Sequence, residues 1–474
     1  MTQVSTQVSV SPEEAEKIPY GAYHRREDLE VSAAERLLTH AGPGSPMGEY
    51  MRRSWQPVCL SEELTDVPKV VQILHERLVA FRDRSGQIGL LQPHCSHRGT
   101  SLEFGIVQQR GIRCCYHGWL YDVDGRILET PCEPPESRIR ETLFHGAYPG
   151  FERDGIVFGY FGPPESRPEF PEYDAYTRPA GTRLVPFSNL YECNWLQVYE
   201  NLIDHYHSAV LHNNMTVEGL DAALAAGLNL GEGFREMPVI EWHTTRDGNG
   251  MLFTAARRVG EDRIWVRTTE MALPNFCATA SLVPTAAEQR HTTVAMSRWQ
   301  VPVDDENMIV LGWRHFNDEI DPQHHGKEED CGYDRIDFLE GQTRHRTYDE
   351  KQRAPGDYEA MTSQRPVALH HLEHPGRSDV GVYLCRRLLR EAVNGRTGED
   401  STRALSRSLG EPLPMYTSDN VVRVPRHAGG GDDRATMARV AREVLAILQE
   451  GDGVRGDERR AHILRRLDEF DGGL

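Results

Sequence analysis

Short segments of alternating apolar and polar residues dominate the chain between residues 50 and 165. Val70-Val-Gln-Ile-Leu, Leu78-Val-Ala-Phe and Gln87-Ile-Gly-Leu-Leu are separated by polar turns, and Leu120-Tyr-Asp-Val-Asp-Gly-Arg-Ile-Leu128 reverses on an Asp-Gly pair. That pattern predicts β-hairpins. Longer alternating segments, among them Arg263-Ile-Trp-Val-Arg-Thr-Thr-Glu and His291-Thr-Thr-Val-Ala-Met-Ser-Arg-Trp, run through residues 236–316 and predict an antiparallel sheet. The period changes to that of a mixed-charge helix at 433–449 and 457–470, so a helical C-terminus is expected. Residues 1–49 are polar and run into Ala41-Gly-Pro-Gly-Ser-Pro46, which reads as an extended arm. Gly162-Pro-Pro-Glu-Ser-Arg-Pro reads as a linker, and Gly429-Gly-Gly as a second polar one. The expected division is an arm at 1–49, a strand-rich domain at 50–165 and a larger α+β domain at 166–474.

Composition narrows the function. A chain of 474 residues exceeds one ordinary domain. Its 53 basic and 72 acidic residues give a net charge of -19, which argues against a nucleic-acid partner, since such binding rests on Lys and Arg neutralising phosphates. Nine cysteines without a regular framework fit a reducing compartment. The N-terminal residues lack the basic segment and apolar core of a signal peptide, and no apolar run approaches membrane-spanning length. A cytoplasmic protein with no membrane partner is expected.

The candidate chemistry begins at Cys95-Ser-His97 and Cys114-Cys-Tyr-His117, a C-x-H and a C-x-x-H separated by sixteen residues. Zinc takes two Cys and two His, but its motifs usually pair like ligands, as C-x-x-C with H-x-x-x-H. Here each half carries one thiol and one imidazole, which suits a Rieske [2Fe-2S] cluster with two Cys on one iron and two His on the other. Gly99, Gly111 and Gly118 allow tight backbone around inorganic sulfur. The C-x-x-H spacing makes Cys114 the ligand and leaves Cys115 as a small buried side chain.

A cluster of that kind passes on single electrons. The segment Asn194 to His212 holds a receiving site. On a helix of ~100° per residue, with Asp204 at zero, Asn201 falls near ~+60°, His207 near ~-60° and His212 near ~+80°. Two His with a distant carboxylate form the facial triad of non-heme Fe(II) oxygenases. His205, near ~+100°, cannot be separated from His212 by this face argument. The chain carries no glycine fingerprint for a dinucleotide, so NAD(P)H would act only through a separate protein.

These residues resemble the oxygenase (α) subunits of Rieske non-heme iron aromatic-ring-hydroxylating oxygenases, in the phthalate dioxygenase-like branch. The resemblance runs from about Gly44 to about Glu391 and rests on Pro46-Met-Gly-Glu-Tyr-Met-Arg-Arg-Ser-Trp-Gln-Pro, the cluster motif, and Asn201-x-x-Asp204-x-x-His207-x-x-x-x-His212. The family motif selects His207 over His205. It also implies a third ligand downstream, matched by Asp357 in Arg353-Ala-Pro-Gly-Asp357; Glu359 is the nearest alternative, and a helix cap the plainer role for Asp357.

What the resemblance implies is specific. An antiparallel Rieske domain would sit on a helix-grip-like catalytic domain with a central antiparallel sheet. Cys95, His97, Cys114 and His117 would hold the [2Fe-2S] cluster, and His207, His212 and Asp357 the mononuclear Fe(II), with Asn201 close by. Chains would assemble as a homotrimer or stacked hexamer, with Asp204 bridging His207 and His117 of the partner subunit. A flavin and iron-sulfur reductase, or a ferredoxin, would supply electrons. The expected reaction is ring dihydroxylation of an aromatic, carboxylated substrate with O2; the alternatives are oxidative O-demethylation or methyl hydroxylation by a monooxygenase, and a bare Rieske electron carrier. Arg257, Arg258, Arg267 and Arg298 lie on strands expected to line the pocket, where one could grip a carboxylate. His370, His371 and His374 read as polar residues late in a helix.

Overall fold

The computed structural model describes residues 30–214, 236–245, 248, 250–280, 290–320, 326–335, 341–395, 412–426 and 433–472. The expected hairpins form three small antiparallel sheets. β1 (Trp55–Leu60), β10 (Gly150–Arg153) and β11 (Ile156–Tyr160) make one, in the order β1-β11-β10. β2 (Lys69–Ile73), β3 (Glu76–Arg82), β4 (Ile88–Leu91) and β9 (Ala147–Tyr148) make the second, and β5 (Ile106–Val107), β6 (Ile112–Arg113), β7 (Leu120–Tyr121) and β8 (Ile127–Glu129) the third. Side-chain alternation explains why the centre of β3, Leu78 to Phe81, is apolar on both faces. Leu78 and Ala80 enter the large core shared with the rest of the molecule, while Val79 and Phe81 enter a smaller core around Cys95, Cys114, Trp119 and Tyr121. The Asp-Gly turn is present, with Gly125 at φ 83 and its α-carbon against the His145 carbonyl, where a side chain would collide.

The larger sheet runs β12-β19-β18-β16-β15-β14-β13, comprising β12 (Arg183–Tyr191), β13 (Val239–Thr244), β14 (Gly250–Val259), β15 (Arg263–Ala272), β16 (Phe276–Ala280), β18 (Val294–Pro302) and β19 (Met308–Phe316). β20 (Ser418–Arg423) pairs with β15 and with the short β17 (His291–Thr292). All the pairings are antiparallel, as the alternation predicts. Ala256, Ile264, Val266 and Val422 face one way, onto the C-terminal helices Asp433–Glu450 and Gly456–Gly472. The first of these helices buries Met437, Val440, Ala441, Val444 and Leu448, the stripe of an amphipathic helix. Phe253 and Ala255 face the other way, with Tyr206 and Trp242 packed against them. Among the described residues, no helix is long and apolar enough to cross a membrane.

The arm expected at 1–49 is only partly one. Residues 1–29 and the polar loop at Gly429-Gly-Gly lie outside the described residues. Residues 33–52, however, form two helices, Ala33–Thr39 and Pro46–Arg52. The Pro-Gly-Ser-Pro stretch that reads as the end of an extended arm is a helix start: Ser45 accepts from the Gly48 N–H, and Pro46 occupies the first turn. Leu38, Ala41, Met47 and Met51 are fully buried in the large core, which explains why two short helices persist.

Two contacts tie the strand-rich part to the large sheet. The β2–β3 turn, Leu74-His75, takes φ 52 and 65, and its N–H groups donate to the Pro302 and Val303 carbonyls at 2.8 and 3.0 Å. Asp305, in the β18–β19 turn, receives His75 Nε2 at 2.8 Å and lies 3.6 Å from His40 Nε2.

Glu35 anchors the first helix to the far end of the chain, accepting from the backbone N–H and Nδ1 of His371 at 2.8 and 2.9 Å. Burial alone would raise its carboxyl, but the bonds from Ser32 and His371 overcome this and bring it down from 4.5 to about 2. A depressed carboxyl stabilises the fold above its unfolded value and loses that contribution as pH falls through the folded one. Glu35→Gln is therefore expected to lower stability by on the order of 1–2 kcal/mol at pH 7. Urea midpoints measured from pH 7 downward should show a constant gap to about pH 5 that closes as the wild-type carboxyl protonates.

Candidate active site

The two cysteine loops are built alike. Cys95 N–H donates to the Thr100 carbonyl and receives the Gly99 N–H on its own carbonyl; Cys114 does the same with Trp119 and Gly118. Gly99 and Gly118 both take positive φ, 75 and 72, which closes each turn over four residues. The loops bring Cys95 and Cys114 together in the core and leave His97 and His117 near the surface, their ring centres 4.6 Å apart. His97 stacks on Trp119 at 4.7 Å. Tyr121 Oη lies 2.9 Å from Cys95 Sγ, and burial, with Cys95 beside it, pushes the Cys114 thiol up. Cys115 is exposed, not buried as expected. In the tight loop, Cys114 turns into the core and the next side chain turns out.

His145 supports this arrangement and was not foreseen. Its ring packs on Tyr121 at 4.5 Å, and its nitrogens meet Ser96 Oγ at 2.7 Å and the Gln92 carbonyl at 2.8 Å. Burial lowers its pKa, so the ring is neutral and fixes the residue next to Cys95.

The segment 194–212 is not one helix. Trp195–Asn201 ends after one capped run, and a second helix, Tyr206–Asn214, starts after four intervening residues. Asp204 accounts for the break: its Oδ1 accepts the Tyr206 N–H at 2.9 Å, starting the second helix from its own side chain. The single-helix face argument therefore fails in detail, yet the residues converge. His207, His212 and Asp357 place their ligating atoms within 4.8 Å of one another, close enough to hold one ion. His207 Nε2 lies 3.4 Å from Asp357 Oδ1, and His212 Nε2 lies 3.6 Å from Oδ2. Both separations exceed a good hydrogen bond, and this nitrogen and oxygen donor set is that of a non-heme Fe(II) centre.

Asp357 is 8% exposed. Burial pushes its carboxyl up, but His212, His207, Gln342 and Asn201 together bring it below the usual range. Asn201 Nδ2 donates to Oδ1 at 3.3 Å and Gln342 Nε2 to Oδ2 at 2.7 Å. Burial lowers His207, whereas Asp204 and Asp357 raise it, and the carboxylates win. Asp204 Oδ2 stands 3.7 Å from His207 Nδ1. Glu359, the alternative ligand, is turned away as a cap, accepting from the Gly356 N–H at 2.9 Å and from Arg346. Gly356, not Asp357, occupies the cap position.

His205 stays outside the triad, its ring 4.9 Å from Phe253. The four arginines divide. Arg258 points to the outer face and pairs with Asp433. Arg267 binds Asp419 through two nitrogens at 2.9 and 2.8 Å, both residues buried. Arg257 donates to Ser208 Oγ at 2.7 Å, and burial beside Arg267 lowers it to about 9. Arg298 reaches Thr279 Oγ1 at 3.4 Å. His370-His371-Leu372 is a single tight turn, not the end of a helix; His371 binds Glu35, and His374 Nδ1 meets the Leu372 carbonyl.

Residues 54–146 match the Rieske [2Fe-2S] domain family. The chain is 59% identical, over 96% of its length and 97% of the relative's, to the tert-butanol monooxygenase / tert-amyl alcohol desaturase oxygenase subunit of Aquincola tertiaricarbonis. It is 36% identical to the phenoxybenzoate dioxygenase subunit alpha of Ectopseudomonas oleovorans, covering 75% of this chain and 84% of that one. The crystal structure of dicamba monooxygenase bound to dicamba shares the fold, with a TM-score of 0.52 at 18% identity over 72% of this chain and 97% of that one.

One close approach controls where Asp357 sits. A Cβ on Gly356 would lie 2.4 Å from the Gly341 α-carbon, a backbone atom that cannot swing aside. Gly356→Ala is expected to destabilise the protein by about 1–3 kcal/mol through overpacking. Thermal melting checks this, with Gly376→Ala as control, because Gly376 has open space around it.

Proposed function

Because the chain belongs to the oxygenase (α) subunits of the Rieske aromatic-ring-hydroxylating oxygenase family, we propose that it is a monooxygenase acting on a C–H bond of a small, neutral, branched alcohol. It is an O2-dependent oxidoreductase of the Rieske type and the terminal component of its system. The observation that carries the choice of substrate is the buried Arg267–Asp419 pair. A pocket built to hold an aromatic carboxylate needs an arginine whose fork is available; Arg267 already has a carboxylate, and Arg258 faces Asp433 on the other side of the sheet. The name of the 59% identical relative points the same way. The expected ring dihydroxylation of an aromatic acid then becomes the second reading. Arg257, with its cation close behind the helix that carries His207 and His212, is the residue that favours it.

Cys95, His97, Cys114 and His117 would hold the [2Fe-2S] cluster, and His207, His212 and Asp357 the mononuclear Fe(II). When bound, these groups supply single-electron transfer and O2 activation. The protein's part is positional. Asp204 Oδ2 faces the Nδ1 side of His207 at 3.7 Å, while Nε2 is directed at Asp357. A third of the Asp204 side chain is exposed, at 35%, and in a ring of three chains the same carboxylate would meet His117 of the partner subunit. Phe253 and Trp242 present apolar surface on the side of the sheet that carries Tyr206, suited to excluding water from a small apolar substrate. Overall, one oxygen atom enters the C–H bond and the other leaves as water, with two electrons drawn through a separate reductase or ferredoxin and two protons taken from solvent.

Turnover with a phthalate-type reductase and 18O2, against tertiary alcohols, methoxyaromatics and aromatic acids, tests the reading. One labelled oxygen in a hydroxylated tertiary alcohol is expected. A cis-dihydrodiol from an aromatic acid, with tertiary alcohols untouched, overturns it. Asp204→Asn is expected to keep the visible spectrum of the cluster and lose at least about 100-fold in turnover; full activity would remove the bridging role.

A further inference from the structure

Gln342 lies in none of the motifs, yet its amide makes the shortest contact on the buried carboxylate, 2.7 Å from Nε2 to Asp357 Oδ2. Asn201, the motif residue, donates to the other oxygen at 3.3 Å. The two oxygens are therefore not equivalent: one carries a short amide bond, the other a long one.

The segment around Gln342 is held residue by residue. Gly341, at φ +79, crosses Gly356 so closely that neither can carry a side chain, and the Gly341 carbonyl accepts the Tyr358 N–H at 2.8 Å. Tyr191 Oη donates to the Gln342 carbonyl at 2.9 Å. Arg344 and His345 both bind Asp334 Oδ2 at 2.9 Å, and Arg346 donates to the Ala354 carbonyl at 2.7 Å. Asp334 is itself buried. Anchors on both sides leave the Gln342 side chain little choice of direction. A glutamine with only a packing role would be expected to bond main chain, as Gln197 does with the Met361 and Arg365 carbonyls. Gln342 is spent on a carboxylate.

We infer that Gln342 is a positioning residue for the metal centre, fixing the plane of the Asp357 carboxylate and biasing it toward ligation through the oxygen that lacks the short amide bond. This rests on the reading that His207, His212 and Asp357 hold Fe(II). Hydrogen-bonding partners of metal ligands set affinity and ligand orientation, and their loss typically weakens metal binding by about 10- to 100-fold. A carboxylate free to rotate could chelate through both oxygens and fill a position that substrate-linked chemistry needs open.

The test uses full-length protein with its cluster intact and its mononuclear iron removed. Gln342→Met keeps the length and loses the donor; Gln342→Asn keeps a buried amide and loses the reach. Fe(II) titration is expected to show at least about 10-fold weaker binding in both variants. The electron paramagnetic resonance spectrum of the nitric oxide adduct of the mononuclear iron is expected to change in rhombicity, which a packing defect elsewhere would not produce. The visible spectrum of the cluster reports folding, so if one variant fails to fold the other decides. A folded variant with wild-type Fe(II) affinity and an unchanged nitrosyl spectrum overturns the role of Gln342 alone. Wild-type protein that binds no mononuclear iron, or His212→Ala that binds it as tightly as wild type, overturns the iron-site reading and this inference together.

Discussion

A carboxylate taken out of water must be met by donors or by positive charge, and Asp357 is met by both. It sits among two imidazoles and two amides drawn from three stretches of chain: Asn201 before the helix break, His207 and His212 after it, and Gln342 from a pinned loop. No two of these stretches can move apart without leaving a buried charge exposed to nothing, which typically costs several kcal/mol. That requirement explains why the surrounding backbone tolerates a glycine-on-glycine crossing, and why Glu359, two residues away, is diverted to Arg346. A second anion beside Asp357 would undo the balance.

The break between Trp195–Asn201 and Tyr206–Asn214 follows from the same need. On one continuous helix, Asn201 and His212 would lie some 16 Å apart along the axis, at about 1.5 Å per residue, too far to serve one carboxylate. Interrupting the helix at Asp204 folds the second segment back toward the first. Asp204 makes that interruption with its own side chain, through the Tyr206 N–H, and uses its other oxygen toward His207. One residue thus sets the local backbone and turns a carboxylate oxygen toward His207.

Much of this was legible in the sequence where local pattern and chemistry coincide. The β-hairpins, the large antiparallel sheet and the C-terminal helices follow from periods of 2 and 3.6. The cysteine and histidine loops and the Asn201 to His212 segment were visible because ligand spacing is itself a local signal. What escaped was set by distant partners. Gln342 carries no local signal, because its meaning lies in a carboxylate fifteen residues on and a tyrosine far upstream. The helices at 33–39 and 46–52 hid behind a Gly-Pro-Gly-Ser-Pro stretch that reads as the end of an extended arm, until the buried Leu38 and Met51 show what holds them. His371 looked like a helix-end histidine because nothing near it announces Glu35. Cys115 was assigned by residue type, and a tight loop reverses that rule within one residue.

The position of Asn201 is also fixed from outside the site, which links the Rieske domain to the part that carries His207, His212 and Asp357. Asn194 caps its helix and donates to the Thr39 and Asp305 carbonyls at 2.9 and 2.7 Å, while Trp195 Nε1 donates to the Leu38 carbonyl at 3.2 Å. Asp305 in turn receives His75 from the β2–β3 turn. At the other end of the helix, Glu200, next to Asn201, is held by a two-nitrogen bond from Arg386, which also grips Glu373. Two acidic residues on one buried arginine raise its pKa further. The N-terminal helices, the hairpin of the Rieske domain and the helix Val380–Val393 therefore converge on one seven-residue helix. Interiors packed this densely transmit displacement instead of absorbing it, so a shift of the N-terminal helices would move Asn201 relative to Asp357. The helices at 33–39 and 46–52 therefore belong to the framework that positions Asn201 beside Asp357.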